Sequence, residues 1–513
     1  MQDHSGSFVN LLPMVSSNLQ KCHGTRKLST ASLALFVFFF LGFMGLQNMH
    51  SLFSNCGDSA AENYMLQQRR RRQATMDDGA KEAGAAAPLP MIGTTQNQQS
   101  EEDPDCAGRY IYIYDLPPQF NQKIAEECTG NPAWIRLCED LSNMGLGKQF
   151  ILDSNDSLSN LLLPYDAWYK SNQYSLDIVY HERLKRYPCL TDDPEKAVLS
   201  YIPFYSALDF GKNMLDTTMS ARDRLSQRLV GWLQNNPHWA RTGGKNHMLL
   251  IGRIAQDHGR KEFEDQWGNC LLSLTELENV TKVVVDRFWW RDDQIAMPYP
   301  TSFHPYSDDQ IVSWQRTILD NARRELPVLF VGGPRNDKYF SGSLRNKLMQ
   351  QCLNSSRCTL LRCDIVDCEK NPQRLTHAFL KSVFCLQPPG DSPTRKGIFD
   401  CMVSGCIPVI FDPHSISDQY TVHLPMNVSS FSVLLDGQAA HDGELDVMEE
   451  LSRIPASTIA TMQRTINALI PNVLYKRYDS NQTTRDAFDI TLEALFNRFT
   501  RALTNSSEIP RQL

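Results

Sequence analysis

Short, largely apolar runs alternate with amphipathic segments from Gly108 almost to the end of the chain. The runs Ala197–Ile202, His247–Ile251, Lys282–Val285, Val328–Val331, Thr359–Leu361, Val383–Leu386 and Ile407–Phe411 are too short for helices. Their lack of polar alternation is the pattern of strands buried on both faces of a parallel sheet. Arg109–Tyr114 reads as a first strand, ending at Asp115-Leu-Pro-Pro118. Helical periodicity fills the gaps: Ser220–Leu233 sets Leu225, Leu229, Trp232 and Leu233 on one face, and Asp309–Leu326, Ile454–Leu474 and Arg485–Leu503 follow suit. Strands interleaved with helices predict an α/β fold of two facing Rossmann-like domains. The division falls near residues 305–326, giving residues 104–320 and 321–513, with the terminal helices free to cross back.

The N-terminal pattern differs. Leu28–Leu46 is uncharged and dense in Leu, Phe and Val, long enough at 1.5 Å per residue to cross a hydrocarbon core of roughly 30 Å. Lys21, Arg26 and Lys27 precede it and no Lys or Arg follows before Arg69, so residues 1–27 are expected in the cytosol and the rest across the membrane. A cleaved signal peptide is the alternative, but its apolar core is shorter. Residues 47–103 read as a stem, without apolar periodicity from Gln73 to Asp103. The Arg69–Arg72 run is either a solvated stretch or a protease-processing site.

Composition adds two constraints. With 21% charged residues, 42% hydrophobic residues and a net charge of −7, nothing favours nucleic acid. Of fourteen cysteines, twelve lie between Cys106 and Cys406; Cys352, Cys358, Cys363 and Cys368 are spaced too irregularly for zinc and read as local disulfides of an oxidising compartment. Asn-x-Ser/Thr sites at Asn155, Asn279, Asn354, Asn427, Asn481 and Asn505 agree with a secretory location.

The segment richest in chemistry is Val383–Phe411: a strand, a loop containing Gly390, Asp391 and Ser392, a helix, and a strand after Gly405. Ser392 suits an N-cap, Pro393 the first helical position and Gly405 the C′ position. A Gly-containing loop feeding a helix N-terminus at the carboxyl edge of a parallel sheet offers free N–H groups to a pyrophosphate. Thr394, Arg395 and Lys396 stand at that helix start, and Asp400 is placed to accept from ribose hydroxyls. Val328–Arg335 repeats the theme, a buried strand followed by two glycines and Arg335, whose guanidinium suits phosphate oxygens. An ordinary βαβ unit and a tight turn are the plain alternatives for these two loops.

Cys385–Phe411 resembles the signature of exostosin-like glycosyltransferases, and Cys106–Pro118 resembles that family's opening strand. Pro203–Asp209, Trp267-Gly-Asn269, Pro298–Pro305 and Thr421–Pro425 are similar to a plant branch, the xyloglucan galactosyltransferases. The resemblance runs from about residue 105 to 500. It implies a type II Golgi membrane protein of GT-B architecture that inverts configuration and needs no bound metal. A UDP-sugar, usually UDP-galactose, is then expected in the C-terminal domain. The acceptor, a xylosyl side chain of xyloglucan, is expected against the N-terminal domain, with other Golgi glycosyltransferases as partners. Another donor (UDP-galacturonic acid or an arabinose donor) and a non-catalytic glycan-binding subunit stay open. Gly397 stands where many relatives carry Arg, which shifts phosphate contact to Arg395, and Asn246 stands where Asp is common.

Inverting transfer needs a base for the acceptor hydroxyl. Asp209, after the Ala197–Ile202 strand, and His304, in the Pro298–Pro305 loop, are the candidates, with Asp257 and His258 behind them. Trp289, Trp290 and Tyr299 are either sugar-stacking surfaces or core.

Overall fold

Two five-stranded sheets organise the chain. This computed structural model describes residues 106–128, 137–151, 162–216, 218–261, 266–321, 324–366, 368, 370–480 and 483–507. The expected span Leu28–Leu46, the stem, the Arg69–Arg72 run, Asn155 and Asn481 lie outside these residues. Among the described residues no helix is long and apolar enough to cross a membrane.

The first half holds β1 (Ile111–Ile113), a small antiparallel pair β2 (Lys148–Gln149) and β3 (Tyr169–Lys170), β4 (Leu199–Ile202), β5 (His247–Ile251), β6 (Thr281–Val284) and β7 (Gln294–Ala296). The second holds β8 (Leu326–Val331), β9 (Cys358–Leu361), β10 (Ser382–Gln387), β11 (Ile407–Ile410) and β12 (Val433–Leu434). The sheet orders are β1-β4-β5-β6-β7 and β12-β11-β10-β8-β9, every pairing within them parallel.

The apolar runs become strands because both sheet faces are covered. Along β5, Leu249 and Ile251 point to a cluster with Leu229, Leu233 and Trp239. Met248 and Leu250, offset by one residue, point to the opposite cluster with Leu176, Val179 and Tyr180. The edge strands β7 and β12, of 3 and 2 residues, were not predicted, having too little apolar sequence to register. The helix expected over Asp309–Leu326 runs from Asp308 to Asp320. Pro327 disfavours helical backbone at Leu326, which joins β8 instead.

One apolar cluster runs through both halves, so the seam between the sheets is packed rather than wet. Trp168 meets Trp314 edge-on at 4.8 Å, and Phe399 meets Tyr420 edge-on at 4.7 Å. Trp314, on the connecting helix, donates to the Val403 carbonyl (2.8 Å). The last helix, Ala487–Ser507, returns to the first half. There Thr491 accepts from Tyr180 (3.0 Å), and Glu493 pairs with Arg109 (2.7 Å). Just ahead of that helix, buried Asp486 pairs with Arg183 (2.7 Å). Burial alone would raise Asp486, but Arg183 and Lys476 together more than offset it and hold the carboxyl down to about 2.

Among the described residues five disulfides form, Cys106–Cys189, Cys128–Cys138, Cys352–Cys358, Cys363–Cys368 and Cys385–Cys406, the third and fourth being the local pairs expected from sequence. Cys270 and Cys401 remain as buried thiols. Asn279, Asn354 and Asn427 are exposed.

Candidate active site

The second sheet reverses its strand order between β8 and β10. Chains leaving adjacent parallel strands in opposite directions open a crevice at the carboxyl edge, the usual ligand position in such sheets. The loop after β8 carries Arg335 and the loop after β10 carries Gly390–Arg395, so the two sequence-predicted loops meet at that reversal. Arg335 lies 3.9 Å from Asp391, both well exposed. Arg395 is largely withdrawn: one Nη donates to the Pro388 carbonyl (2.9 Å) and its Nε has no partner. Burial, then the nearby Arg335, lowers Arg395 to about 10.

A third guanidinium completes the group. Arg345, on the helix Phe340–Leu353, is buried over the Phe330 ring and donates to the Gly333 carbonyl (2.9 Å). Burial, then Arg395 and Arg335, lowers it to about 9. Gly332 makes this possible: a Cβ there would collide with the Arg345 guanidinium. Gly332 thus admits a cation rather than the ligand itself, and Gly333 lies against Asp364. Asn346 fixes the loop, accepting from Arg335 N–H (3.0 Å) and donating to its carbonyl (2.7 Å). Three guanidinium groups gather here while Asp391 pairs only with Arg335, an arrangement suited to a polyanion.

The helix after this loop begins at Lys396, with Arg395 as its N-cap, rather than at Pro393. The Ser392 hydroxyl donates to the Thr394 carbonyl (3.0 Å), holding residues 392–394 as a bend instead of capping the helix. Gly405 ends the helix with φ +67° as expected. Thr394 turns inward to the Tyr420 hydroxyl (2.9 Å). Lys396 grips both oxygens of Asp400 (2.6 and 2.8 Å). That pair lines a cavity of about 170 Å³ with Lys170, Asp140, Ser302 and Thr376. Burial raises Asp400, with Lys396 opposing.

The facing edge of the first sheet is built from acids and aromatics. Asp177 accepts from Ala207 N–H (2.7 Å) and Gly252 N–H (2.8 Å), tying the loops after β4 and β5; burial raises it to about 7. Asp257 holds Arg253 (2.7 Å) and the Trp267 indole N–H (2.9 Å), and His258 is buried against Asn269 (3.0 Å). Asp286, two residues past β6, accepts from Ala255 N–H (2.6 Å). Asp209 is buried in the helix Ser206–Asn213, one oxygen bonded to Asn213 (2.9 Å) and the other unpartnered; burial raises it to about 7. His304 is fully buried, its ring nitrogens meeting the Ser171 hydroxyl (2.7 Å) and the Tyr475 carbonyl (2.6 Å). Burial lowers it to about 4. Tyr299 is core, whereas Trp267, Trp289 and Trp290 are exposed, Trp289 stacking on His414 at 5.7 Å. Asn246 sits just before β5, at the opposite edge of the sheet. Of the possible metal donors, Cys385, Cys401 and Cys406 cluster among the described residues, and two of these sulfurs form a disulfide.

Paired parallel sheets with a cationic crevice at a strand-order reversal frame a transferase acting on phosphorylated donors, and the chain belongs to the exostosin GT47 family of glycosyltransferases, whose domain matches residues 105–449. More particularly, it is similar to plant xyloglucan enzymes. Xyloglucan galactosyltransferase MUR3 of Arabidopsis thaliana is 35% identical over 432 residues, covering 83% of this chain and 68% of that one. Probable xyloglucan galactosyltransferase GT12 of the same plant is 36% identical over 410 residues, covering 79% and 80%. Xyloglucan-specific galacturonosyltransferase 1, also from Arabidopsis, is 35% identical over 404 residues, covering 78% and 58%. A solved glycosyltransferase from Rickettsia africae aligns over 77% of this chain and 99% of its own at 9% identity, with a TM-score of 0.30 that carries no argument.

Proposed function

We propose that this glycosyltransferase moves galactose from UDP-galactose to xylosyl side chains of xyloglucan in cell-wall polysaccharide synthesis. It does so with inversion at the sugar carbon and without a bound metal. In this reading the two sheets form a GT-B pair anchored in the Golgi membrane by Leu28–Leu46, with the catalytic region in the lumen. The observation that carries the reading is the meeting of Arg335, Arg345 and Arg395 at the β8/β10 reversal. These guanidinium groups would balance the charge that builds on the departing diphosphate, the role a cation fills elsewhere. Asp400 and Lys396 would hold the nucleoside, and Gly390, Asp391 and Ser392 would border the diphosphate. The exposed Trp267, Trp289 and Trp290 suit the apolar faces of a glycan. The test is transfer by the full chain from a panel of labelled UDP-sugars to xyloglucan oligosaccharides. Transfer from UDP-galactose is expected, and no transfer from any UDP-sugar overturns the reading. The 35% identity to a galacturonosyltransferase favours UDP-galacturonic acid as the second donor to try.

A further inference from the structure

The reaction proposed above needs a proton acceptor; both His304 ring nitrogens are engaged, and Asp209 lies buried within the helix Ser206–Asn213, away from the loop after β10. We propose that Asp286 is the catalytic base, placed between the first sheet and the donor loop to receive the acceptor's hydroxyl proton. The assignment rests on that reading of the function.

Position comes first. Asp286 follows β6 at the carboxyl edge of the first sheet, where the Ser392 hydroxyl of the loop after β10 lies beside its carboxyl and Tyr420, itself bonded to Thr394 of that loop (2.9 Å), donates to the Val285 carbonyl (2.9 Å). It is therefore an acid of the first half in direct contact with the loop that borders the diphosphate. The next residue locks the site: Arg287 N–H donates to Gln419 Oε1 (2.7 Å), and Gln419 Nε2 donates back to the Arg287 carbonyl (3.1 Å). Three and four residues beyond Asp286, Trp289 and Trp290 reach solvent, so one short segment joins a buried carboxyl to an exposed aromatic surface.

Hydrogen bonding then separates Asp286 from its neighbours. Asp177 has both oxygens on backbone N–H groups, and Asp257 has both on Arg253 and Trp267. Asp286 holds one backbone N–H on Oδ1, and among the described residues no cation pairs with it. The titratable groups facing it are Asp257 from the loop after β5, Tyr299 from that after β7, Tyr420 from the second half and Tyr174. Burial raises its carboxyl to about 6, so it is ionised near neutrality yet able to keep a proton.

The step balances as an inverting displacement. The acceptor hydroxyl oxygen forms a bond to the donor's anomeric carbon. The bond from that carbon to the β-phosphate oxygen breaks, its electron pair leaving on UDP. The hydroxyl proton passes to an Asp286 carboxylate oxygen.

The test compares the full-length wild type with Asp286→Asn. The variant is expected to lose transfer by about a hundredfold or more, while UDP binding, followed by thermal-shift titration, changes less than about threefold. Wild-type kcat/KM is expected to fall as pH drops below about 6, the value to which burial raises this carboxyl. Activity of the variant within about tenfold of wild type overturns the assignment. So does a parallel loss of UDP binding, and so does a wild-type profile that stays flat between about pH 5 and 7, which decides the matter even if the variant fails to fold. Wild type that transfers from no UDP-sugar overturns the proposed function and takes this assignment with it.

Discussion

The carboxyl edge of the second sheet gathers guanidinium groups, Arg335 in the open and Arg345 and Arg395 behind it, whereas that of the first presents carboxylates and phenols packed out of solvent. Both are strand ends of parallel sheets, so backbone geometry does not separate them. Strand order does: the second sheet reverses between β8 and β10, and the first runs β1-β4-β5-β6-β7 without reversal. A reversal opens a crevice that a charged ligand enters whole. A continuous edge leaves loops that close on one another, as Asp177 closes those after β4 and β5. On the proposed mechanism the halves divide the labour, one balancing a leaving group's charge and the other managing a proton.

Breaking the cationic edge should have the largest effect. Arg395→Ala is expected to lower kcat/KM about a hundredfold, ~3 kcal/mol, with UDP affinity by calorimetry falling in step; Arg395→Lys should recover only part, since a point charge does not replace a planar fork. Opening the Cys385–Cys406 link with two serines should cost ~3 kcal/mol in denaturant unfolding, given a closed loop of 21 residues. On the aromatic edge, Trp290→Ala should raise the acceptor KM roughly fivefold, ~1 kcal/mol, and leave the UDP-galactose KM unchanged. The smallest effect is expected from Asp209→Asn, with kcat changed less than about twofold. Its mark lies in stability. Asp209 keeps its proton to about 7 in the fold, while an unfolded aspartate releases it near 4. Through that window the group makes stability fall as pH rises, and melting temperatures measured from about pH 4 to 8 should lose that slope in the variant.

How far sequence reached follows the same division. Strands such as β5 and β10 were legible because burial on both faces leaves continuous apolar runs. Arg335 and Arg395 were legible because each follows such a run in a glycine-bearing loop. Arg345 was not: at the start of the helix Phe340–Leu353 it reads as an ordinary solvated cation. The one trace it leaves is Gly332, whose missing Cβ makes its room. Asp286 had the same signal as Asp209, an acid just past a predicted strand, but spacing alone does not tell which strand end meets the opposite half. Trp290 and Tyr299 differ in exposure through tertiary packing that no local pattern encodes.

The return of the helix Ala487–Ser507 to the first half sets an order of events during synthesis. Residues 106–296 complete the first sheet's strands, yet Thr491 and Glu493, which bond that half's Tyr180 and Arg109, emerge about two hundred residues later. At roughly 5–20 residues per second the ribosome needs on the order of 10–40 s to deliver them. Through that interval an apolar face of the nascent first half has no lid, and chaperones have time to hold it. A chain cut before Asp486 would stay in that half-made state, so even a short C-terminal truncation should be felt first at the far end of the molecule.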